Sequence, residues 1–311
     1  MRPIPVKLVT SNIEPDYYDS TTNAYNAMNV TWALTRRCSL ACTYCNVCDR
    51  YAKHVVSLSD YEAIRDYIVS ITLNKKYGEI MLFGGEPTLS PYWKMAVVDF
   101  HLRVPHIGLS MFTNLHASAT EYQWAQSMGV GIETSYHYGG DASQYVDKIL
   151  QLSPKGLQCY VMLDPRDIPA CKKVFYALLD AGYYVELNRI YDKDLILSRE
   201  DEIFMLKEST FNTKASKRYL VYTYSDGQTK ELSFQQAAML GMTSFTNWKC
   251  TAGAANVFVE CTGDVYPCQV YANEGFAPLG NIIHGLNANN LPITTCKAPE
   301  CSCEIFIPKW V

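Results

Sequence analysis

The chain has 311 residues, of which 48% are hydrophobic and 19% charged, which is the composition of an ordinary globular protein. Its formal net charge of −4 excludes the strong basic excess of a protein that grips long nucleic acid. The first residues lack the apolar segment of a signal peptide, and no apolar run is long enough to span a bilayer. We therefore expect a cytoplasmic protein that has no membrane partner.

Residues 29 to 190 alternate between two patterns. Apolar runs predict buried strands, and amphipathic stretches between them predict helices. The predicted strands cover residues 29–35, 79–83, 106–114, 129–137, 156–164 and 182–190. Strands that alternate with helices form a parallel sheet, and six of them are too few for the eight-stranded closed barrel. The predicted fold class is therefore α/β, a partial (β/α)6 TIM-like barrel.

Local signals predict where the helices begin. Ser59 and Glu62 have the spacing of a capping box, and Ser118 and Glu121 repeat it. Asp141 is placed to cap the next helix. Because ligands bind at the carboxyl ends of parallel strands, the loops that follow the strands are expected to form the working face.

The chain divides into four predicted segments. An N-terminal extension covers residues 1–28, and the barrel covers 29–190. A more polar bridging region covers 191–249, with a hairpin that turns near Asp226 and Gly227. The tail, residues 250–311, contains a second hairpin near Gly263 and six of the twelve cysteines. A segment with so many thiols and so little core is typical of folding around a metal.

A cysteine triplet follows the first predicted barrel strand. Cys38, Cys42 and Cys45 have the spacing C-x3-C-x2-C. In a reducing cytoplasm, clustered cysteines are metal ligands more often than disulfides. Three thiolates can bind three irons of a cubane cluster and leave the fourth iron without a protein ligand. A zinc site is the alternative interpretation. Cys48 is interpreted as a neighbouring thiol outside the set, because a fourth ligand would close the site.

With Tyr44 directly before the third cysteine, the triplet resembles the signature of the radical S-adenosylmethionine superfamily. The end of the second strand, "FGGEP" at residues 83–87, is similar to the glycine-rich motif of that superfamily. The resemblance covers about residues 29–303. It implies an enzyme whose 4Fe–4S cluster binds S-adenosylmethionine and cleaves it to a 5′-deoxyadenosyl radical, which abstracts hydrogen from an unactivated C–H bond. It also implies an electron donor such as flavodoxin or ferredoxin.

The resemblance further implies which strand ends hold the cofactor. Gly84 and Gly85 are expected to let the backbone approach the methionyl amine, and Glu86 is expected to accept a hydrogen bond from it. The other candidates for cofactor binding are Tyr44, Asn114, Ser135, Asn188 and Arg189. The candidates for catalysis are Tyr136, His137 and Cys159. Cys159 and Cys171 are also interpreted as core residues, because they lie within a predicted strand and a predicted helix.

The cysteine-rich tail resembles the auxiliary-cluster module that is called SPASM in its full form and twitch in its short form. The similar features are "CTAGAANVFVECTGDVYPC" from residue 250, then "PLGNI" and a closing cysteine group. The tail has too few closing cysteines for the full form, so the resemblance implies one auxiliary 4Fe–4S cluster. The expected ligands are Cys250, Cys268, Cys301 and Cys303, with Cys296 and Cys261 as alternates. A small zinc knuckle is the other interpretation of the tail.

The class of substrate is inferred from the same module. Enzymes that carry it mostly modify peptides or proteins, so we expect a ribosomally made peptide or protein as partner. The first 28 residues are, however, too few for a peptide-recognition winged-helix domain. The alternative is modification or rearrangement of a nucleobase, as in phage-type DNA hypermodification, or of a small molecule. A non-catalytic zinc or iron–sulfur protein is a third interpretation. The type of reaction, whether oxidation, isomerisation or maturation, stays open.

Overall fold

The structure, a computed structural model, describes residues 5–10, 18–19, 24–45, 56–190, 192, 194–211, 220–286, 291–301 and 307–311. Cys48 and Cys303 lie outside these residues. The strands are β1 (Pro5–Thr10), β2 (Tyr18–Asp19), β3 (Ala24–Tyr25), β4 (Ala27–Thr35), β5 (Tyr77–Gly84), β6 (Gly108–Thr113), β7 (Gly131–Tyr136), β8 (Leu157–Leu163), β9 (Val185–Arg189), β10 (Leu220–Tyr224), β11 (Thr229–Leu232), β12 (Lys249–Cys250), β13 (Asn256–Val259), β14 (Asp264–Tyr266), β15 (Gly280–Asn281), β16 (Thr294–Thr295) and β17 (Lys309–Trp310). The helices are α1 (Leu58–Thr72), α2 (Trp93–Arg103), α3 (Ala119–Ser127), α4 (Ala142–Ile149), α5 (Ile168–Asp180), α6 (Arg199–Phe211), α7 (Phe234–Met239) and α8 (Gln269–Asn273).

The chain forms two compact units. One contains residues 1–31, 57–79 and 216–311, and the other contains residues 32–56 and 80–215. Strands β4 and β5 contribute residues to both. The compact units thus group the two ends of the chain, whereas the four-segment division made from the sequence stays a prediction.

The six predicted barrel strands are confirmed as β4 to β9, which are neighbours in that order in one sheet. The strands from β6 to β9 pair in parallel, with Thr113 opposite Thr134, for example. Helices α2 to α5 alternate with these strands along the chain. The order confirms the partial-barrel fold class, because each parallel pair is joined by a helical crossover.

The two faces of this sheet have different environments. Along β8, the residues from Leu157 to Leu163 alternate between fully buried and half-buried side chains. The buried face points towards the helices, since the ring of Tyr136 on that face lies 5.5 Å from the ring of Tyr145 in α4. The half-buried face is the inner face of the partial barrel. A side chain's position in the two-residue strand period therefore decides whether it reaches a ligand.

The helix starts agree with the sequence in two cases and differ in one. Ser118 and Glu121 form the predicted capping box of α3, and Asp141 caps α4. Helix α1 begins earlier than predicted, because Ser57 is its N-cap and accepts a hydrogen bond from the backbone N–H of Asp60. The prediction that Ser59 caps this helix is wrong: an N-cap must be extended, and Ser57 already occupies that position.

The unit that contains both ends of the chain has a second sheet. Its strands are in the order β11-β10-β1-β17-β12-β16. Strand β1 pairs antiparallel with both β10 and β17, so segments from both ends of the chain share this sheet. The predicted hairpins are confirmed as β10–β11 and β13–β14. The core beside this sheet includes Leu8, Tyr222 and Phe245. Within the described part of the chain, no helix has both the length and the apolar character needed to cross a membrane.

Candidate active site

The cysteine triplet lies in the loop that follows β4. Cys38 and Cys42 are half-buried, and Cys45 is exposed. The backbone N–H of Cys45 donates to the carbonyl of Cys42 at 3.2 Å, which closes a turn between them. Burial raises the pKa of Cys42; a hydrogen bond with Tyr44 lowers it, and the nearby thiols of Cys45 and Cys38 raise it. The three thiols are therefore close enough to interact electrostatically.

The glycine pair after β5 contacts the backbone that carries the triplet. Gly85 N–H donates to the carbonyl of Thr35 at 2.8 Å, and Glu86 N–H donates to the carbonyl of Arg37 at 2.7 Å. A Cβ on Gly85 would lie 2.3 Å from the carbonyl oxygen of Arg37. The sequence explained these glycines by approach to a cofactor. The described contacts give a more local reason, since only glycine lets the end of β5 pack against the start of the cysteine loop.

The carboxylate of Glu86 is fully buried. It accepts hydrogen bonds from the hydroxyls of Thr88 and Thr113 and from the backbone N–H groups of Thr88 and Asn114. Burial raises its pKa, and these hydrogen bonds partly oppose the increase. The hydroxyl of Tyr122 from α3 also lies 2.9 Å from that of Thr113, so the carboxylate lies on the helix side of the sheet. These hydrogen bonds connect Glu86 to the loop after β6.

That loop brings Asn114 to the first cysteine. The backbone N–H of Asn114 donates to Glu86 at 2.8 Å, and its side-chain amide donates to the Sγ of Cys38 at 3.3 Å. The same amide lies 3.3 Å from the hydroxyl of Ser39. An amide N–H that points at a sulfur stabilises the thiolate form. Asn114 thus lies at the triplet, and its role in binding the cofactor stays a prediction.

His137 joins two other predicted residues. Its Nδ1 lies 2.7 Å from the hydroxyl of Tyr44, and its Nε2 lies 2.6 Å from the hydroxyl of Ser135. Burial lowers the pKa of His137 to about 4, and Asp164 offsets this in part. A neutral imidazole donates from one nitrogen and accepts at the other, so it can make both bonds. The cysteine loop is thereby attached to the end of β7.

The tail brings four cysteines to one cavity. Its lining includes Cys250, Cys268, Cys296 and Cys301, together with Tyr271 and Lys309. Cys296, predicted as an alternate ligand, therefore joins three of the four expected ligands. Cys303 lies outside the described residues. Cys261 is buried on the β13–β14 hairpin and is not part of this lining.

Comparisons with known proteins find similarity to solved structures only. No family model and no curated protein matches the chain. Among solved structures, anSMEcpe with bound AdoMet and the Kp18Cys peptide matches with a TM-score of 0.58 and 17% identity, over 84% of this chain and 79% of that one. SuiB of Streptococcus suis bound to the precursor peptide SuiA matches with a TM-score of 0.57 and 11% identity, over 85% of this chain and 64% of that one. Both are radical S-adenosylmethionine enzymes. The chain has the radical S-adenosylmethionine fold.

This radical S-adenosylmethionine fold confirms the resemblance seen in the sequence at the level of architecture. The residues present also fit the clusters that the fold implies. Within the described ranges, no three His, Cys, Asp or Glu side chains are grouped so as to hold one metal ion. A cubane cluster instead takes one thiolate per iron. The triplet offers three free thiols, and the described lining of the tail cavity offers four and no carboxylate.

Three other candidates from the sequence lie on the helix side of the sheet. Tyr136 donates its hydroxyl to the carbonyl of Gly140 at 3.2 Å. Cys159 is fully buried, and burial raises its pKa to about 12. Arg189 forms a 3.2 Å ion pair with Glu202 of α6. These contacts give the three residues roles in the packing of sheet and helices. Their predicted roles at the cofactor or in catalysis stay predictions.

Asn188 differs from its neighbour Arg189. The register pairs Asn188 with Met162 on the half-buried face of β8. Ser135 is paired with Tyr160 on the same face. Asn188 and Ser135 therefore lie on the inner face, as a cofactor-binding role requires. Adjacent residues at one strand end were predicted to share a role, but the strand period directs them to opposite faces.

Two charged residues after β8 were missed by the sequence analysis. Asp164 is fully buried and accepts two hydrogen bonds from the Arg166 guanidinium, at 2.8 and 2.6 Å. Burial raises the pKa of Asp164, but the Arg166 contacts outweigh this and lower it below its ordinary value. Arg166 also donates to the hydroxyl of Thr43 in the cysteine loop at 3.4 Å and stacks on Tyr138. The strand-end rule applied to "LDPRD" would have found this pair.

The inner face carries a further cluster that the sequence analysis missed. Tyr160 donates its hydroxyl to Glu133 at 3.1 Å, and the register places Glu186 opposite Tyr160. All three side chains are half-buried. The signal was the two-residue period, since these residues occupy inward positions on three neighbouring strands.

Proposed function

We propose that the protein is a radical S-adenosylmethionine enzyme that abstracts a hydrogen atom from an unactivated carbon of its substrate. One observation carries this proposal. Three cysteines lie on the loop after β4, beside a strand-end asparagine, in a chain with the radical S-adenosylmethionine fold. An electron carrier would need a fully ligated cluster, whereas a triplet leaves one iron for the cofactor.

In this proposal Cys38, Cys42 and Cys45 hold the first 4Fe–4S cluster. When bound, the cluster supplies the electron that cleaves S-adenosylmethionine to a 5′-deoxyadenosyl radical. Asn114 donates its amide N–H to the sulfur of Cys38 and lowers the negative charge there. The chain's own contribution is to hold the three thiols in one loop and to bring the polar side chains of Asn114 and His137 into contact with that loop.

The groups that hold the loop come from neighbouring strand ends. His137 bonds to Tyr44 between the second and third cysteines, and Arg166 bonds to Thr43. The backbone N–H of Glu86 bonds to Arg37 at the start of the loop. Ser135 and Asn188 on the inner face are the groups that we assign to the cofactor's ribose and carboxylate. Holding a flexible cysteine loop in advance reduces the entropy lost when cluster and cofactor bind.

The tail is proposed to hold an auxiliary cluster through Cys250, Cys268, Cys296 and Cys301, with Cys303 as the alternative to Cys296. The support is that the first four line one cavity. Four thiolates leave no open iron, so this cluster would not bind S-adenosylmethionine. It would accept an electron from the substrate radical or shape the substrate pocket.

A peptide or protein is the proposed substrate. The support is that anSMEcpe and SuiB, which share the fold, were each solved with a bound peptide. A flavodoxin or ferredoxin is the proposed electron donor. The test is deuterium transfer from labelled candidate substrates into 5′-deoxyadenosine. Transfer from a peptide supports the proposal, and transfer from a nucleotide alone would replace peptide by nucleobase.

The cluster assignment is tested by iron analysis after anaerobic reconstitution. The wild-type chain is expected to bind roughly eight irons, and the variant in which Cys38, Cys42 and Cys45 become alanine roughly four. The remaining cluster should give an electron paramagnetic resonance spectrum that added S-adenosylmethionine does not change. Cys171→Ala, which removes a buried thiol of α5, is the matched control and should keep the full iron content. Zinc without iron in the triple variant would show that the tail is a structural knuckle.

A further inference from the structure

A buried lysine lies in the cavity that the four tail cysteines line. Lys309 is only 1% exposed. Its ammonium donates to the carbonyl of Ile307 at 2.7 Å and lies 5.3 Å from the ring centre of Phe245. Lysine is almost never fully buried unless its charge is compensated. Its burial places a positive charge among the residues that line this cavity.

The strand register directs the lysine towards the cysteines. Strand β17 pairs antiparallel with β12, and Lys309 lies directly opposite Cys250. Directly opposite residues of an antiparallel pair project from the same face of the sheet, with Cβ atoms about 4.5–5.5 Å apart. Lys309 and Cys250 accordingly line the same cavity, together with Cys268, Cys296 and Cys301.

The charge of Lys309 reaches the thiols. Lys309 projects from the same face of the sheet as Cys250, and both line the cavity with Cys296. Four cysteine thiolates bring four negative charges to the cavity, and one-electron reduction of a cluster that they bind adds another. A fixed positive charge in a poorly solvated site stabilises the more negative state, because little water is present to screen it.

We propose that Lys309 sets the reduction potential of the auxiliary cluster by stabilising its reduced form. The proposal rests on the proposed function of the tail as a cluster site. It adds a physical reason for the reduction potential of that cluster. With the lysine in place the cluster accepts an electron more readily, as an acceptor for a substrate radical must. Without it, the same cluster ligands would hold a more strongly reducing centre.

The chain offers a matched control one residue from Cys250. Lys249 lies beside that cysteine in β12, but the register pairs it with Trp310 and its side chain is exposed. Both lysines carry one positive charge next to the same ligand. They differ in solvation, so water and salt should screen Lys249 and leave Lys309 effective.

The experiment is an anaerobic redox titration, followed by electron paramagnetic resonance, of the chain in which the first triplet is replaced by alanine. Only the auxiliary cluster titrates in this background. Lys309→Met and Lys309→Gln remove the charge, and glutamine retains a donor for the Ile307 carbonyl. We expect both to favour the oxidised cluster by about tenfold, which is a potential lowered by about 59 mV for one electron. Lys249→Met should shift the potential by less than a third of that.

Each outcome bears on one proposal. An unchanged potential in Lys309→Gln with normal iron content would overturn the role of the lysine and leave the cluster assignment intact. An equal shift in Lys249→Met would also overturn it, because burial would then not matter. Loss of iron from both Lys309 variants would replace tuning by a structural role. If the parent of these variants binds zinc and no iron, the cluster assignment fails first, and the lysine proposal with it.

Discussion

Replacing Glu86 tests whether this residue supports the loop at the first cysteine rather than the cofactor. In the structure its two oxygens share the Thr113 hydroxyl but accept from different backbone N–H groups. One accepts from the backbone N–H of Thr88 at 3.1 Å, and the other from the backbone N–H of Asn114 at 2.8 Å. Backbone donors cannot turn away as hydroxyls can. In Glu86→Gln, the amide NH2 must therefore face one of the two donors.

The expected cost follows from the number of buried donors left without an acceptor. Each costs about 1–3 kcal/mol. Glu86→Gln leaves one, so we expect the free energy of unfolding to fall by about 1–3 kcal/mol. Glu86→Ala leaves both backbone donors, while the hydroxyls of Thr88 and Thr113 can reorient, so we expect a loss of about 2–6 kcal/mol.

Urea unfolding of the purified chain near neutral pH measures these losses. Glu62→Gln is the matched control, because it makes the same chemical change at an exposed position of α1. It should change the free energy of unfolding by less than about 0.5 kcal/mol. If Glu86→Gln is as stable as this control but binds S-adenosylmethionine more weakly, the carboxylate contacts the cofactor and the reasoning from the buried network is refuted.

Three further predictions concern the same region. Because burial raises the pKa of Glu86 above its ordinary 4.5, the wild type should lose stability as pH rises above that value. Glu86→Gln lacks this loss, so its stability deficit in urea titrations should shrink as pH rises above 4.5; a constant deficit would contradict the raised pKa. Gly85→Ala places a Cβ 2.3 Å from a carbonyl oxygen and should cost about 1–3 kcal/mol, whereas Gly131→Ala, whose nearest contact is 3.6 Å, should cost less in the same assay. Tyr44→Phe and Ser135→Ala should each cost about 0.5–1.5 kcal/mol through His137, and strict additivity in a double-mutant cycle would show that the imidazole does not couple them.

Much of the barrel could be predicted because its signals are local. Each strand from β4 to β9 is an apolar run of the expected length, and the caps of α3 and α4 depend on residues within one turn. The structure brings Asn114 and His137, which end predicted strands, to the cysteine loop, and Ser135 is joined to it through His137. Strand β1 could not be paired in this way, because its partners in β10 and β17 lie more than two hundred residues away, and no local pattern encodes such a contact.

The site predictions that stay open depend on side-chain direction. Glu86 was assigned to the cofactor from its motif, but Thr113 and Tyr122, which hold it on the helix side, come from elements later in the chain. Arg189 was assigned with Asn188, yet the strand period turns it towards Glu202. Spacing alone likewise did not separate Cys296 from the other tail cysteines, since only the folded sheet brings it to the cavity.

The central claim is that the loop with Cys38, Cys42 and Cys45 activates S-adenosylmethionine. The most direct measurement is the amount of 5′-deoxyadenosine formed by the anaerobically reconstituted chain with S-adenosylmethionine and a strong reductant. The wild type should form it, and the variant in which these three cysteines are alanine should form none while it retains the tail's iron. Formation of 5′-deoxyadenosine by that variant, or its absence in wild-type protein with a full complement of iron, would contradict the claim.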